Sequence, residues 1–166
     1  MKPVSLRPIR DDDYDFMRAL YGDYRAEEMK HFPFDDEQRE AFLDQQFAAQ
    51  TVYYREHYPG ADFSIIELNG VPIGRFFVDR RRDEIRIVDI ALVPETRNAG
   101  IGTSLLQRVL AEGREKGKPV TIHVEAFNPA LRLYERLGFR KAATNGVYFL
   151  MERAAGSTDE QNQVRS

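Results

Sequence analysis

The chain has 166 residues, of which 42% are hydrophobic and 31% charged, and its formal net charge is −3. That length suits one domain with a sizeable core, and the balance is that of a globular protein. The chain has no cysteine, which excludes disulfides, thiolate metal sites and a cysteine nucleophile, and its acidity argues against a dedicated nucleic-acid binder despite the local run Arg80-Arg81-Arg82.

Val4 to Ile9 alternates like a short strand. This region has no apolar signal core, and the chain has no run of about 18 apolar residues, so the expected location is the cytoplasm with no membrane partner. Asp11-Asp12-Asp13 offers N-caps to a helix from about Tyr14 to Lys30, with Phe16, Met17, Leu20, Tyr21 and Tyr24 on one face. A second helix is predicted from Asp36 to about His57, with Phe42, Gln46, Ala49, Tyr53 and His57 on one face. Tyr58-Pro59-Gly60 ends it.

From Asp62 the period becomes that of strands. Phe63 to Leu68, Asn69-Gly70 and Val71 to Val78 form a hairpin pattern, and a further strand from Glu84 to Val93 completes a meander. After a turn at residues 94–100 comes a helix to about Lys116, stopped by Gly117 and Pro119. Val120 to Glu125 is a strand, and Asn128-Pro129 starts a helix that runs to Leu137, with Asn128 as N-cap. A last hairpin spans Phe139 to Met151, turning near Asn145-Gly146. The predicted fold is a mixed α/β (α+β) layered domain over residues 1–153, followed by a disordered polar tail at residues 154–166.

The stretch Arg97-Asn98-Ala99-Gly100-Ile101-Gly102-Thr103 lies between a strand and a helix N-terminus. Such a turn offers orphan N–H groups and a partial positive charge, and glycine lets an anion approach the backbone. A Walker loop is excluded, because no lysine follows Gly102 and the spacing is wrong. A dinucleotide fingerprint lacks its third glycine, since position 105 is Leu. A phosphate cradle and a plain helix entry both remain.

Arg97-Asn98-Ala99-Gly100-Ile101-Gly102 resembles the Arg/Gln-x-x-Gly-x-Gly/Ala motif of the GNAT N-acetyltransferase superfamily, which binds the pyrophosphate of acetyl-CoA. Asp89-Ile90-Ala91-Leu92-Val93-Pro94 resembles that family's bent strand. Asn128-Pro129-Ala130, Tyr134 and Gly138-Phe139 resemble its Asn-x-x-Ala-x-x-x-Tyr-x-x-x-Gly-Phe segment, with Ala130 one place early and Leu at position 131. The resemblance implies a mostly antiparallel central sheet flanked by helices, with a splayed parallel strand pair. It implies acetyl-CoA as co-substrate, held by the backbone of Asn98, Ala99, Gly100, Ile101, Gly102 and Thr103, with Arg97 adding charge. Ile90, Ala91 and Leu92 would bind the pantetheine arm through their main chain, and Asn128 would contact that arm.

The same resemblance places Tyr134 near the CoA sulfur as general acid. Thr121, His123 and Glu125 alternate with apolar residues and share one face of their strand. His123 is the candidate base, with Glu125 and Asp89 as alternatives. Direct transfer needs no acyl-enzyme, in keeping with the missing cysteine. The family's acceptor wall would draw on Tyr21, Tyr24, Arg25, Tyr53, Tyr54, His57 and Tyr58, of which Tyr21, Arg25, Tyr53, Tyr54 and His57 are the substrate candidates.

The expected activity is acetyl transfer to a primary amine of a small molecule or peptide, without a metal. The alternatives are a non-catalytic acyl-CoA sensor and a small nucleotide-binding protein. The sequence leaves the oligomeric state open, a homodimer included.

Overall fold

The computed structural model describes residues 4–126 and 128–156. The predicted tail lies outside the described residues from position 157 onward. The strands are β1 (Val4–Pro8), β2 (Asp62–Leu68), β3 (Val71–Arg80), β4 (Ile85–Leu92), β5 (Val120–Glu125), β6 (Arg140–Asn145) and β7 (Tyr148–Arg153). The helices are α1 (Tyr14–Met29), α2 (Asp36–His57), α3 (Ile101–Lys116) and α4 (Leu131–Arg136). The strands order as β1-β2-β3-β4-β5-β7-β6 in one mixed, mostly antiparallel sheet. Its parallel pair is β4–β5. Short loops join β2 to β3, β3 to β4 and β6 to β7, whereas the parallel pair needs α3 as its crossover. Contacts group the chain into two compact units.

The first unit holds the described residues up to Phe77 together with Asp89–Ile101. β1 pairs antiparallel with β2, from Val4 opposite Leu68 to Pro8 opposite Ser64. Asn69 and Gly70 have φ of 53° and 79°. Two successive left-handed residues make the tight turn whose twist matches a hairpin, as Asn-Gly predicts. Met17 and Leu20 of α1, Leu43 and Phe47 of α2, and Ile65 and Ile66 of β2 are buried in this unit. Phe47 is fully buried, and burying a side chain of that size stabilises by about 2–3 kcal/mol.

Two expectations change here. The inward face of α2 carries Leu43, Phe47, Gln50 and Tyr54, while the predicted face leaves Ala49, Tyr53 and His57 exposed. Aromatic residues lie on two flanks of this helix, Phe42 and Tyr53 on one and Phe47 and Tyr54 on the other, so periodicity alone fixed its rotation poorly. The Asp triplet forms a separate 3-10 turn, Asp11–Asp13, and Asp13 makes no side-chain cap to α1. Its buried carboxylate instead takes both ends of the Arg7 guanidinium at 2.8 Å and the N–H of Arg10 at 2.7 Å. Those bonds to Arg7 hold the carboxyl below the usual aspartate range. Asp35 caps α2 through the N–H of Gln38, and the Gln38 side chain returns a bond to the Asp35 N–H.

The second unit holds Val78–Val88 and the described residues from Gly102 onward. β4 and β5 register from Ile85 opposite Val120 to Ile87 opposite Ile122. β5 pairs antiparallel with β7, and β7 with β6. Leu105, Leu106, Val109 and Leu110 bury one face of α3, joined in the core by Ile85, Ile87, Ile122, Phe139 and Met151. Gly117 ends α3 at φ 66°, and the Lys118 N–H bonds back to the Gly113 carbonyl at 2.8 Å. This is the left-handed glycine cap predicted for that position.

α4 begins at Leu131, two residues after the predicted first helical position, Pro129. Asn128 does not cap it. Its Oδ1 accepts the Ala130 N–H at 2.8 Å, forming a turn ahead of the helix. Asparagine satisfies a turn and a helix N-cap by the same kind of bond, which is why the pattern Asn-Pro could not separate them.

Candidate functional site

β4 runs into a single 3-10 turn at Pro94–Thr96, and the chain then passes through Arg97 in an extended conformation. Asn98 and Gly100 take φ of 62° and 81°, and α3 starts directly after them at Ile101. Asparagine and glycine are the residues that tolerate this left-handed backbone. A Cβ built on Gly100 would meet no protein atom within 4 Å, so space lies open in front of the turn. The first turn of α3 carries no acidic residue, leaving its N–H groups and positive dipole end to an anion.

Arg97 sharpens the anion character. Its Nε donates to the Leu92 carbonyl at 2.9 Å, and its guanidinium carbon lies 4.3 Å from the centre of the Tyr24 ring. Its Nη2 is buried with no hydrogen-bond partner. An unpartnered buried donor costs about 1–3 kcal/mol, and an anion would recover that cost. These residues fit a diphosphate.

The main chain of Leu92 is already engaged: its N–H donates to the Tyr24 hydroxyl at 3.1 Å and its carbonyl accepts from Arg97. Tyr24, expected on an acceptor wall, therefore stands against β4. The neighbouring Ala91 and Leu92 side chains are buried, and the Ala91 carbonyl lies against Gly74 of β3.

In the second unit, Thr121, His123 and Glu125 have distinct surroundings. Thr121 is buried, accepting from Arg86 Nε at 2.7 Å and donating to Glu84 at 2.9 Å. His123 Nδ1 lies 3.4 Å from Arg86 Nη1. Arginine only donates, so the neutral ring directs its lone pair there and carries its hydrogen on Nε2. Partial burial of the ring, and then the Arg86 charge, hold His123 below the ordinary histidine range. Glu125 has no side-chain partner among the described residues. Tyr134 is buried one turn into α4, with its ring edge-on to Phe139 at 5.8 Å.

The third base candidate, Asp89, lies in the first unit and is heavily engaged. Its Oδ2 accepts from Arg75 Nη2 at 2.5 Å and from the Tyr54 hydroxyl at 3.1 Å. Arg75 also donates to Gln50 at 2.7 Å, and its guanidinium carbon lies 4.8 Å from the centre of the Phe77 ring. Burial, and then the Asp89 charge, push the Tyr54 phenol well above its usual range, so it stays a donor. Nothing in the predicted site included Arg75. The available signal was an arginine inside an otherwise apolar strand, Ile73-Gly74-Arg75-Phe76-Phe77.

The five expected acceptor residues divide into three groups. Tyr21 accepts from Arg25 at 2.8 Å along α1, and Arg25 pairs with Glu28. Tyr53 stacks on His57 at 3.9 Å on the exposed side of α2. Tyr21 also packs its ring 5.4 Å from that of Phe47, but of the five only Tyr54 lines a cavity of about 430 Å³ in the first unit.

The chain matches the family model described as "Acetyltransferase (GNAT) family" over residues 15–139. It is 37% identical over 86 residues to the mouse Cysteine-rich protein 2-binding protein, covering 50% of this chain and 10% of that protein. It is 30% identical over 151 residues to the Uncharacterized N-acetyltransferase MJ1207 of Methanocaldococcus jannaschii, covering 85% of this chain and 62% of that protein. The chain thus spans less than two thirds of the length of either curated relative.

Solved structures similar to it include the PaiA N-acetyltransferase of Thermoplasma acidophilum in complex with coenzyme A. That match has a TM-score of 0.67 and 17% identity, over 92% of this chain and 99% of that one. Arabidopsis thaliana Naa50, in complex with the bisubstrate analogue CoA-Ac-MVNAL, has a TM-score of 0.57 and 18% identity, over 91% and 98%. At such identities the likeness establishes the fold.

Proposed function

The chain belongs to the acetyltransferase (GNAT) family, and from that membership we propose that it transfers an acetyl group from acetyl-CoA to a primary amine of a small molecule or peptide, by direct attack in a ternary complex. The observation that carries this reading is the turn after β4. It joins left-handed Asn98 and Gly100, an open helix N-terminus and the unpartnered Arg97 Nη2. The Arg97 Nη2 and the first N–H groups of α3 are donors, as a diphosphate requires.

Acetyl-CoA supplies an activated acyl group and a thiol leaving group. The backbone of residues 98–103 and Arg97 hold the diphosphate end. Main-chain groups of Ile90, Ala91 and Leu92 align the arm, and for Leu92 this means exchanging its bond to the Tyr24 hydroxyl for one to the arm. Tyr134 carries a phenolic proton to give to the departing sulfur, and Asn128 contacts the arm.

Among the three base candidates the environments favour Glu125. Asp89 is taken by Arg75 and Tyr54, and the His123 lone pair meets Arg86. Glu125 takes the amine proton directly or through water, with His123 beside it on the same strand.

The test mixes the protein with acetyl-CoA and a panel of amines and amino-terminal peptides, with free CoA as readout. CoA release above hydrolysis with at least one amine supports the reading. Tight acetyl-CoA binding without turnover on any amine would leave a binding module instead, and affinity for ATP over acetyl-CoA would reassign the turn.

A further inference from the structure

We infer that the cavity in the first unit is a binding site for a small organic anion that joins a flat apolar body to a carboxylate. The inference stands on this cavity alone and does not require that the chain transfer acetyl groups. The cavity measures about 430 Å³, within the range of small-molecule sites. Tyr14, Phe47, Phe63 and Phe77 supply rings from α1, α2, β2 and β3. Such a lining takes a planar apolar body edge-on or stacked.

The polar groups of the cavity wall decide the sign of the ligand. Arg75 is 5% exposed and lines the cavity. Its Nη2 is committed to Gln50 and Asp89, while its buried Nε has no partner, and Nη1 has none among the described residues. Thr51 gives its hydroxyl proton to the Phe47 carbonyl, and Tyr54 gives its own to Asp89. The uncommitted polar atoms of Arg75 are therefore donors, and a matching ligand must accept. Charge agrees: Asp89 offsets Arg75, and the exposed Arg10 and Arg55 outnumber Asp11 around the cavity. An ammonium ligand would find the Asp89 carboxylate already occupied, whereas a carboxylate finds guanidinium groups with N–H bonds to give.

The test uses 3-phenylpropanoate as probe and 3-phenylpropanamide as its neutral twin, by calorimetry and thermal shift on the full chain. The carboxylate is expected to bind saturably at millimolar concentration or below, and the amide at least tenfold more weakly. Thr51→Phe fills the cavity and should abolish binding. The exposed double change Arg10→Gln with Arg55→Gln leaves the core untouched, should weaken the carboxylate about tenfold and should flatten its salt dependence. Equal binding of acid and amide, binding that survives Thr51→Phe in a folded variant, or no saturable binding of either probe overturns the proposal. Acetyl-transfer assays report separately, so loss of one activity leaves the other readable.

Discussion

The turn from Arg97 to Thr103 and the cluster around Arg75 both present unpartnered guanidinium nitrogen in a folded wall, yet they are built in opposite ways. The turn is a local device. Seven consecutive residues set two left-handed backbone positions and a helix N-terminus, and only Arg97 reaches outside the segment. The Arg75 cluster is assembled from β3, β4 and α2, with Gln50, Tyr54 and Asp89 each many residues from Arg75. A backbone site depends on a short stretch of chain. A side-chain site depends on the rotation of every element that contributes to it.

The largest effect should come from putting a charged side chain into the backbone site. Gly100→Asp adds a Cβ at φ 81° and a like charge facing the diphosphate, and about a thousandfold loss of CoA affinity is expected by calorimetry, with the fold retained. Unchanged affinity would remove the turn from the binding site. The side-chain cluster should fail differently. Asp89→Asn leaves Arg75 buried without its counter-charge, at a cost of about 3 kcal/mol, seen as a melting temperature about 10 °C lower. A shift under about 2 °C would mean that the pair is energetically idle.

Tyr134→Phe should lower kcat about 100-fold with CoA affinity unchanged, because the ring remains and only the proton is lost. If turnover stays at the wild-type level, Tyr134 is a packing residue. Arg97→Met should weaken CoA about tenfold, a smaller loss than at Gly100, because the backbone donors remain.

The smallest effect concerns pH. Since folding holds His123 below the ordinary histidine range, the unfolded chain binds its proton more readily. Stability should therefore fall as pH drops through the normal histidine range and into the lowered one, and His123→Gln should remove that step from the melting-temperature profile. If His123 is also the base, the same variant abolishes turnover, whereas turnover lost in Glu125→Gln and kept in His123→Gln assigns the base to Glu125.

Much of the architecture could be read along the chain. Asn69-Gly70 demanded a tight hairpin, Gly117 ended α3, and alternation marked β5, because each signal acts within a few residues. The rotation of α2 could not be read so well. Phe42 and Tyr53 give the helix one aromatic flank and Phe47 and Tyr54 another, and only packing selects Phe47 and Tyr54 as inward. Asn128 offers one side-chain oxygen that serves a turn or a cap equally, and the fold chose the turn. The Asp triplet was ambiguous for the same reason, until Arg7 from β1 claimed Asp13.

For the candidate site the division is the same. The residues proposed to hold a diphosphate lie in one segment, so a motif of consecutive residues and its resemblance to the family pointed to them. The partners that change chemistry do not: Arg86 beside His123, Tyr24 on the Leu92 N–H, and Arg75 on Asp89 come from other elements. The sequence by itself determined the element order, because short-range backbone preferences and apolar periodicity are written locally, and its short motifs carried the resemblance to the family. Which carboxylate stays free, which phenol is tied up and where a cavity opens were decided only by tertiary structure. Those properties depend on which side chains meet across tens of residues, and burial then fixes what each can donate or accept.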